Sequence, residues 1–430
     1  MASIILFGTF VLFLLVKVPV GISLGLASIC CMFFTGTLQP TYLAQGLVTA
    51  LDSFPLLAIP FFILSGNIMD KGGISTRLLD CADVFFGRMY GGMGIVTVVA
   101  CMFFAAISGS GPATVAAIGG ITIPAMIAQG YDKKFAGALS AAAGSIGVII
   151  PPSIPMVMYG VSTGASVSGL FMAGVIPGFL IGFGLIGYCY WKSKKKGWKA
   201  PVKERDSKKT SGVKIFWDAK WALIVPVIIL GGIYGGIFTP TEAAAVSVLY
   251  GFVVSVFVYR EMKIRDVAEI LAQSALQTGT IMIIIGTATT FGRILTLEQV
   301  PNQFAEFLAT TLHSKILILL AINILLLFVG CFMDTTAAII ILAPILLPVV
   351  TAQNVNIIHF GIVMVVNLSI GFITPPLGVN LFVACNVAKA KLEEIAAGIL
   401  PVIGVMVVIL MFITYVPIIS LIFPQMLGVV

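Results

Sequence analysis

Small hydroxyl-bearing residues and one aspartate interrupt stretches of this 430-residue chain that are otherwise apolar. Ser108, Ser110 and Thr114 lie in the sequence SGSGPAT, and Asp334 lies in the sequence CFMDTTA. In an apolar setting, hydroxyls and unpaired backbone carbonyls can bind a monovalent cation, whereas free N–H groups at helix N-termini suit an anion. These residue types therefore predict binding of ions and small solutes.

Helix breaks decide which of these groups are free to bind. The carbonyls of residues 147–150 and 371–374 each precede a Pro-Pro pair, which cannot continue a helix. A Ser or Thr inside a membrane helix usually bonds to its own backbone, so only hydroxyls at the breaks are candidate ligands. These candidates are Ser108, Ser110, Thr114, Ser145, Ser153, Thr335, Thr336, Ser369 and Thr374.

Asp334 is the ionisable candidate. An ionised aspartate at the centre of a membrane helix costs about 2.5 to 3.5 kcal/mol, so a partner such as Na+, a proton or a basic side chain is expected. The alternative is that Asp334 only caps the helix that begins at Thr335. Asn380 follows the second Pro-Pro pair and is predicted to face the same cavity, while Asn67 and Arg293 are left open.

The candidates lie in two copies of one sequence pattern. A shift of 224 residues aligns Pro124 with Pro348 and Gly174 with Gly398, and it also aligns the two Pro-Pro pairs without a gap. Paired segments interrupted by Gly and Pro in two halves of a chain are the best sequence indication of a transporter's binding site. The pattern therefore predicts a carrier built from a duplicated unit.

Composition bounds the fold class. Hydrophobic residues make up 59% of the chain and charged residues only 10%, and apolar runs long enough to cross a bilayer recur along most of it. These values predict an all-α integral membrane protein and exclude an outer-membrane barrel, whose strands are short and alternating.

The first repeat is predicted at residues 1–191, with a re-entrant helical hairpin at about 91–129 and a broken helix at about 136–163. Residues 70–90 are predicted to form a polar connection. Residues 192–220 carry eleven of the 24 Lys and Arg residues, which predicts a cytoplasmic basic linker.

The second repeat is predicted at residues 221–430, with a hairpin at about 315–350 and a broken helix at about 357–387. Amphipathic segments that lie along the membrane or clamp neighbouring helices are predicted at 38–53 and 261–278. The segment after each of these is predicted to cross the membrane.

The basic residues predict the orientation, because Lys and Arg accumulate in cytoplasmic loops. With the 192–220 linker in the cytoplasm, 22 of the 24 basic residues fall on that side and both termini fall on the far side. The first hairpin then enters from the cytoplasm and the second from outside. The repeats are therefore predicted to be inverted, as in alternating-access transporters.

Enzyme signatures are missing from the sequence. His313 and His359 belong to no HExxH pattern, and neither a Walker A motif nor a GxSxG nucleophile motif is present. The net charge of +7 is accounted for by the predicted cytoplasmic loops, so it does not indicate nucleic-acid binding. We predict a protein that is not an enzyme and has no organic cofactor.

The chain resembles the large membrane subunit, DctM-like, of tripartite ATP-independent periplasmic (TRAP) transporters. The resemblance rests on SGSGPATVAAIGGITIPAM, on GVIIPPS followed by GLFMAGVIPG, on GIFTPTEAAAV and on GFITPPLGVNLF, and it covers essentially the full length. It implies a bacterial inner-membrane carrier driven by a Na+ gradient. It also implies an elevator movement of the hairpin-bearing domain against a scaffold. The implied fold is similar to that of the ion-transporter superfamily.

The resemblance implies a first sodium site made by Ser108 with backbone near Ala105, Gly147, Ile150 and Pro152. A pseudo-symmetric second site would use backbone around Gly371 and Pro376 with the Thr374 hydroxyl, and Asp334 is predicted to take part in sodium binding. The shift of 224 residues places Phe332 opposite Ser108, so the second site is not a chemical copy of the first. Predicted substrate-facing residues are Ser110, Thr114, Ser153, Thr335 and Asn380.

The resemblance also implies the partners. They are a small membrane subunit of about four helices (DctQ-like), a soluble periplasmic substrate-binding protein (DctP-like) and an organic anion such as a C4-dicarboxylate, a 2-oxo acid or sialic acid. The alternatives are a stand-alone Na+/dicarboxylate carrier of similar fold that needs no partner, and a scaffold or receptor whose hairpins only bind.

Overall fold

The computed structural model of the chain is built from helices. It describes residues 2–36, 39, 41–198, 212–312, 314–376 and 378–429. Seven of the described helices are long and apolar enough to cross a membrane, and six more are apolar but shorter. The prediction of an all-helical, multi-pass membrane protein is confirmed.

The described part of the first half contains eleven α-helices. They are α1 (Ala2–Leu15), α2 (Val20–Thr35), α3 (Thr41–Leu51), α4 (Ala58–Lys71), α5 (Ile74–Phe86), α6 (Gly92–Ser108), α7 (Gly111–Thr114), α8 (Gly120–Ala128), α9 (Lys133–Ser145), α10 (Ile154–Thr163) and α11 (Val167–Lys196). A π-helical turn at Val115–Gly119 joins α7 to α8, so that 111–128 is one continuous helical segment.

The described part of the second half contains ten α-helices. They are α12 (Gly212–Tyr234), α13 (Pro240–Val253), α14 (Asp266–Leu297), α15 (Val300–Thr311), α16 (Lys315–Gly330), α17 (Thr335–Ala352), α18 (Ile357–Gly371), α19 (Val379–Ala388), α20 (Leu392–Tyr415) and α21 (Ile418–Met426). A π-helical turn at Val254–Val258 extends α13.

Local sequence signals set several of these helix ends. Gly36 ends α2 in the left-handed region at φ +65°, which glycine adopts without a steric penalty. Asp132 caps α9 by accepting a hydrogen bond from the Lys134 amide at 3.0 Å. Thr239 and Glu242 form a reciprocal capping box at the start of α13, in which each side chain accepts from the other residue's amide.

Helix boundaries recur in the two halves at the same offset as the sequence pattern. The segment Gly111–Ala128 and helix α17 are both 18 residues long, and both their ends differ by 224 positions. The Pro151-Pro152 and Pro375-Pro376 peptide bonds, again 224 positions apart, are both cis. Each pair lies in the non-helical connection between two short helices, α9 and α10 in one half and α18 and α19 in the other.

Two segments differ from the sequence predictions. Residues 70–90 contain helix α5, because Ile74, Leu78 and Ala82 recur every four residues and give it a buried apolar face. Residues 261–278 are not a separate amphipathic arm. Residues 266–278 form the first part of α14, which continues through Gly279 without a break for 32 residues, because a single glycine is tolerated inside a helix.

Helices α11 and α12 extend into both ends of the predicted 192–220 linker. Helix α11 continues to Lys196 and ends at Gly197 in the left-handed region, and α12 begins at Gly212. Residues 199–211 of this linker lie outside the described part. The short amphipathic helices α15 and α21 were not predicted.

Two sets of helices surround the broken connections. Helix α14 packs against α2, α3 and α4, and α13 also packs against α4. In the other set, α9 packs against α6, α19 and α20, and α16 packs against α18. The turns between α6 and α7 and between α16 and α17 lie beside the second set, which places the candidate residues at the junction of the two.

Candidate functional site

The first helical tip is the turn between α6 and α7. Helix α6 ends at Ser108, and Gly109 takes a left-handed conformation at φ +60° with its amide bonded to the Ala105 carbonyl at 3.2 Å. A side chain on Gly109 would approach the Pro152 carbonyl oxygen to 2.8 Å. Glycine is therefore required here, both for the turn and for close contact with the broken connection.

Three oxygen-bearing residues converge at this tip. The Ser108 and Thr114 hydroxyls lie 3.0 Å apart, and the Thr114 hydroxyl donates to the Ser110 carbonyl at 2.7 Å. A side chain on Gly147 would come within 2.5 Å of the Thr114 hydroxyl and 2.7 Å of the Ser110 carbonyl. The absence of a side chain at Gly147 lets the backbone of the first broken connection reach the hydroxyl cluster.

The broken connection after α9 brings backbone oxygens to the same place. A short 3-10 turn, Ile146–Val148, follows α9, and the Ser153 side chain caps α10. The Ser153 hydroxyl donates to the Val148 carbonyl at 2.6 Å and accepts from the Met156 amide at 3.3 Å. Ser153 is fully buried and engaged in capping, so its hydroxyl holds the break in shape.

The second tip is the turn between α16 and α17. Its supporting contact is between backbones, because a side chain on Gly371 would come within 2.5 Å of the Gly330 backbone. The Thr374 hydroxyl donates to the Ile370 carbonyl at 2.7 Å within its own chain segment. Pro376 is exposed, unlike its counterpart Pro152. Phe332 and Ala338 occupy the positions equivalent to Ser108 and Thr114, so the second tip does not repeat the Ser108–Thr114 hydroxyl pair.

Asp334 caps α17. One carboxylate oxygen accepts a hydrogen bond from the Thr336 amide at 2.8 Å. The residue also lines a cavity, and within the described residues no basic side chain forms an ion pair with it. The capping alternative is therefore present in the structure, and the carboxylate at the same time faces a space that can hold a cation or solute.

Two buried polar atoms near the tips have no hydrogen-bond partner. The Thr335 hydroxyl is one, and the side-chain carbonyl of Asn380 is the other. The Asn380 amide nitrogen donates to the Ala141 carbonyl at 3.3 Å, and the side chain lies beside Gly111 at the start of α7. Because buried polar groups are normally paired, these two atoms indicate sites for a ligand or ordered water.

One cavity beside the tips has a volume of about 650 Å³, and we call it the Asp334 cavity. Ser108, Ser110 and Asp334 line it from the tips, and Asn67 and Asp70 line it from α4. The Asn67 amide donates to the Ser274 hydroxyl at 2.8 Å and to the Gln277 side-chain oxygen at 3.2 Å. The cavity is thus bounded by both sets of helices.

A second cavity of about 360 Å³, which we call the Arg293 cavity, lies further along α14. Its walls come from α3, α10, α14 and α17. Gln277 and Thr280 line the Asp334 cavity, whereas Thr289 and Arg293 line the second cavity. At 1.5 Å rise per residue, Gln277 and Arg293 are about 24 Å apart along the helix axis.

The structure groups the predicted residues unevenly. Ala105, Ser108, Ser110, Thr114, Gly147 and Pro152 meet at the first tip, while Ile150 is buried in the adjoining connection. Asp334 shares the Asp334 cavity with Ser108 and Ser110. Gly371, Thr374 and Pro376 lie in the second broken connection, and Arg293 lies in the other cavity.

Sequence reasoning missed two polar clusters. One is the contact of Asn67 with Ser274 and Gln277, which brings together residues more than 200 positions apart. The other is a buried contact between α16 and α18, in which the Asn367 amide donates to the Asn323 side-chain oxygen at 2.7 Å. In both cases the sequence shows a polar residue in an apolar helix, but it does not predict which residue that side chain contacts.

Comparison with known proteins settles the family. Residues 7–419 match the family described as "Tripartite ATP-independent periplasmic transporter, DctM component". This chain belongs to the DctM family. The resemblance drawn from its motifs is confirmed.

Relatives of this DctM chain carry matching names. It is 39% identical to the C4-dicarboxylate TRAP transporter large permease protein DctM of Rhodobacter capsulatus, covering 100% of both chains. It is 35% identical to the sialic acid TRAP transporter large permease protein SiaM of Vibrio cholerae, covering 95% of each. It is 52% identical to the isethionate TRAP transporter permease protein DctMQ of Oleidesulfovibrio alaskensis, covering 97% of this chain and 66% of that protein.

Solved structures show that the fold extends beyond the family. The YdaH transporter of Alcanivorax borkumensis superposes with a TM-score of 0.64 at 16% identity, covering 88% of each chain. MtrF of Neisseria gonorrhoeae gives a TM-score of 0.59 at 14% identity, covering 87% of this chain and 82% of MtrF. Transporters of distant sequence therefore share this arrangement of helices.

Proposed function

We propose that this DctM chain carries a small organic anion into the cell, coupled to Na+ that binds at its two helical tips. The observation that carries the proposal is the convergence of Ser108, Thr114 and the Ser110 carbonyl on Gly147, beside a cavity that Asp334 also lines. Oxygen atoms of hydroxyls and interrupted helices are the ligands that bind Na+ in transporters of this kind.

The first sodium site in this proposal lies at the first tip. Ser108 supplies a hydroxyl, and backbone carbonyls near Ala105, Gly147, Ile150 and Pro152 supply the remaining oxygens. The Ala105 carbonyl already accepts from the Gly109 amide, so a cation there would share an oxygen with the turn. The site is therefore coupled to the shape of the tip itself.

The second site is chemically different. The position equivalent to Ser108 is Phe332, and the position equivalent to Thr114 is Ala338. A cation near Gly371, Thr374 and Pro376 would depend on backbone carbonyls and on the Asp334 carboxylate. We infer two unequal sites, of which the second carries a formal negative charge.

The substrate in this proposal is an organic acid. The relatives are named for isethionate, C4-dicarboxylates, sialic acid and 2,3-diketo-L-gulonate, all of which carry at least one acidic group. Free amides at the start of α7 and α17 suit such a group. Isethionate is the first anion to test, because the isethionate relative is 52% identical to this chain, against 39% and 35% for the C4-dicarboxylate and sialic acid relatives.

The partners follow from the family name. A TRAP large permease works with a small membrane subunit and a periplasmic binding protein, and we propose both for this chain. The chain spans about two thirds of the DctMQ relative, and we attribute the remainder of that relative to a fused small subunit. The proposed location is the bacterial inner membrane, with the 192–220 linker in the cytoplasm and both termini in the periplasm.

The proposed movement is an elevator. The tips, the broken connections, α9–α11 and α18–α20 would move together against α1–α4 and α12–α14, and the two hairpins would enter the membrane from opposite sides. The Asp334 cavity would then open toward the cytoplasm, because Asn67 and Asp70 lie near the end of α4 that leads into residues 70–90, whose basic residues are predicted to be cytoplasmic.

The test is uptake of labelled isethionate, succinate and sialic acid into proteoliposomes that hold this chain and its small partner. Each anion is tried with and without an inward Na+ gradient, and with and without a cognate binding protein. We expect flux of one anion that requires both Na+ and its binding protein. Sodium-driven flux without a binding protein would identify a stand-alone carrier, and no ion-driven flux of any anion would overturn the proposal.

A further inference from the structure

Arg293 is the charged residue that the proposed sodium and substrate contacts leave without a role. It lies in the last third of α14, whose 32 residues form one of the spans long enough to cross a membrane. Within the described residues it forms neither an ion pair nor a hydrogen bond with another side chain. A basic residue in a membrane-spanning helix is uncommon and often marks a substrate path or an ionic partner.

The cavity around Arg293 is chemically suited to an anion. Arg293 is the one ionisable residue among those that line it, and five of its neighbours there carry hydroxyls: Thr49, Ser53, Ser162, Thr289 and Thr296. A guanidinium can donate two parallel hydrogen bonds to a carboxylate or sulfonate. The Thr49, Thr289 and Thr296 hydroxyls donate to carbonyls of their own helices, so Ser53 and Ser162 are the hydroxyls here that can add a donor. The volume of about 360 Å³ is large enough for a small organic acid.

The walls of the Arg293 cavity belong to both sets of helices. Arg293 and Thr289 lie on α14 and Thr49 on α3, whereas Ser162 lies on α10 and Pro344 on α17. In the proposed movement the second group travels past the first. The cavity would therefore change shape during transport, as a space on the substrate's path must.

The two cavities differ in the sign of their charge. The Asp334 cavity is lined by Asp70 and Asp334, and no basic residue is among its lining residues in the described part of the chain. The Arg293 cavity has the opposite composition. The Arg293 cavity therefore attracts an anion and the Asp334 cavity attracts a cation such as the proposed Na+, since single charges act strongly in walls of low dielectric constant.

We propose that the Arg293 cavity is an anion-receiving chamber, in which Arg293 binds the acidic group of the transported substrate before it reaches the helical tips. This inference rests on the proposed function for the identity of the anion. The charge of the Arg293 cavity does not depend on the proposed function, so the charge of the cavity and the identity of the anion can be measured separately.

The charge is tested with thiol reagents of opposite charge on Thr289→Cys. Thr289 lies four residues before Arg293, so the two side chains are neighbours on one helix face. We expect a methanethiosulfonate carrying a sulfonate to react faster than one carrying a quaternary ammonium. Arg293→Gln should lower this ratio of rates about tenfold, and Arg293→Lys should keep it.

The matched control is Thr280→Cys in the Asp334 cavity. Its ratio should favour the cationic reagent, and it should not change with Arg293→Gln, because about 20 Å exceeds the screening length at physiological salt. An unchanged Thr280→Cys ratio also shows that the Arg293→Gln protein is folded. The parent chain contains seven native cysteines, so its own rate of reaction with each reagent is measured and subtracted.

Occupancy is tested by protection. We expect one of isethionate, succinate or sialic acid to slow modification of Thr289→Cys by the cationic reagent, and Arg293→Gln to remove that protection. Equal rates for the two reagents, or no protection by any of the three anions, would overturn the proposal. If uptake fails with every anion while the charge preference of Thr289→Cys persists, the proposed function fails and the anionic preference of the cavity stands.

Discussion

Asp334 illustrates how one residue can hold a helix and face a cavity at once. Its carboxylate accepts from the Thr336 amide at 2.8 Å, which satisfies one of the free donors at the start of α17. The same carboxylate lines the Asp334 cavity. Asparagine caps helices as well as aspartate does, so the two roles can be separated by one substitution.

Asp334→Asn should therefore leave the protein folded and weaken its response to sodium. Loss of the charge removes a charge-assisted ligand, and we expect the half-saturating Na+ concentration for uptake to rise at least about tenfold. The measurement is initial uptake rate against Na+ concentration in proteoliposomes. Wild-type sodium activation in Asp334→Asn would exclude Asp334 from cation binding.

Ser108→Ala should abolish uptake while the protein inserts into the membrane normally. The Ser108 hydroxyl lies 3.0 Å from that of Thr114, and its loss removes a side-chain oxygen from the proposed first sodium site. Removing one hydrogen-bonding hydroxyl costs only about 1 kcal/mol of stability, so folding should survive. Uptake and the amount of inserted protein are measured on the same vesicles.

Ser28→Ala is the matched control for Ser108→Ala. Ser28 is also a buried serine at a helix, but its hydroxyl bonds to the Leu24 carbonyl of its own helix at 2.8 Å. We expect uptake by Ser28→Ala to be close to that of the parent. Retained uptake in Ser108→Ala would move the sodium site elsewhere.

At the scale of elements, close backbone contacts hold the broken connections against the tips. Gly371 on α18 lies against Gly330 at the end of α16 without room for a methyl group, because a side chain there would come within 2.5 Å of backbone atoms. Backbone atoms cannot move aside as a side-chain end can. Small residues at such crossings let membrane helices approach closely, since packing is the main attraction between them.

Gly371→Ala should therefore separate α16 from α18 and destabilise the protein by about 1 to 3 kcal/mol, the usual cost of overpacking. We expect a lower midpoint of thermal unfolding in detergent and reduced uptake. Gly404→Ala on α20 is the control, because a methyl group there meets nothing within 4 Å. Equal midpoints for the two variants would show that the Gly330–Gly371 contact is dispensable.

The sequence predicts these elements best where the residue type allows only one local backbone conformation. Pro151-Pro152 and Pro375-Pro376 cannot lie inside a regular helix, and both breaks are where the prolines predict them. Gly279 does not force a break, so a boundary placed there was wrong and α14 is continuous. The pairing of Asn323 with Asn367 could not be predicted, because either residue can bond to many partners and only tertiary packing chooses one.

At the scale of the molecule, two groups of helices enclose two cavities of unlike charge. The Asp334 and Arg293 cavities lie on either side of an apolar stretch of α14 that contains Met282, Ile283 and Ile284. The orientation predicted from the basic residues places the Arg293 cavity toward the periplasm. Passage of an anion between them requires the tips to change their position relative to α14, which is what the proposed elevator movement supplies.

The contact between Gly66 and Ser108 marks how closely the tip approaches α4 in this arrangement. A side chain on Gly66 would lie 3.3 Å from the Cα atom of Ser108 and 3.5 Å from its Cβ atom. Gly66→Val adds branches beyond that atom, so it should disfavour this arrangement relative to one in which the tip has moved away. A destabilisation of about 1.4 kcal/mol would already change the ratio of the two populations tenfold.

Gly66→Val should therefore slow the reaction of Thr280→Cys with a thiol reagent and speed that of Thr289→Cys, because the Asp334 cavity closes as the other opens. Uptake should fall, since the carrier can no longer return through this arrangement. Gly279→Val, where a side chain meets nothing within 4 Å, controls for valine in a membrane helix. If Gly66→Val changes neither reaction rate nor uptake, the tip does not move against α4, and the elevator proposal is wrong.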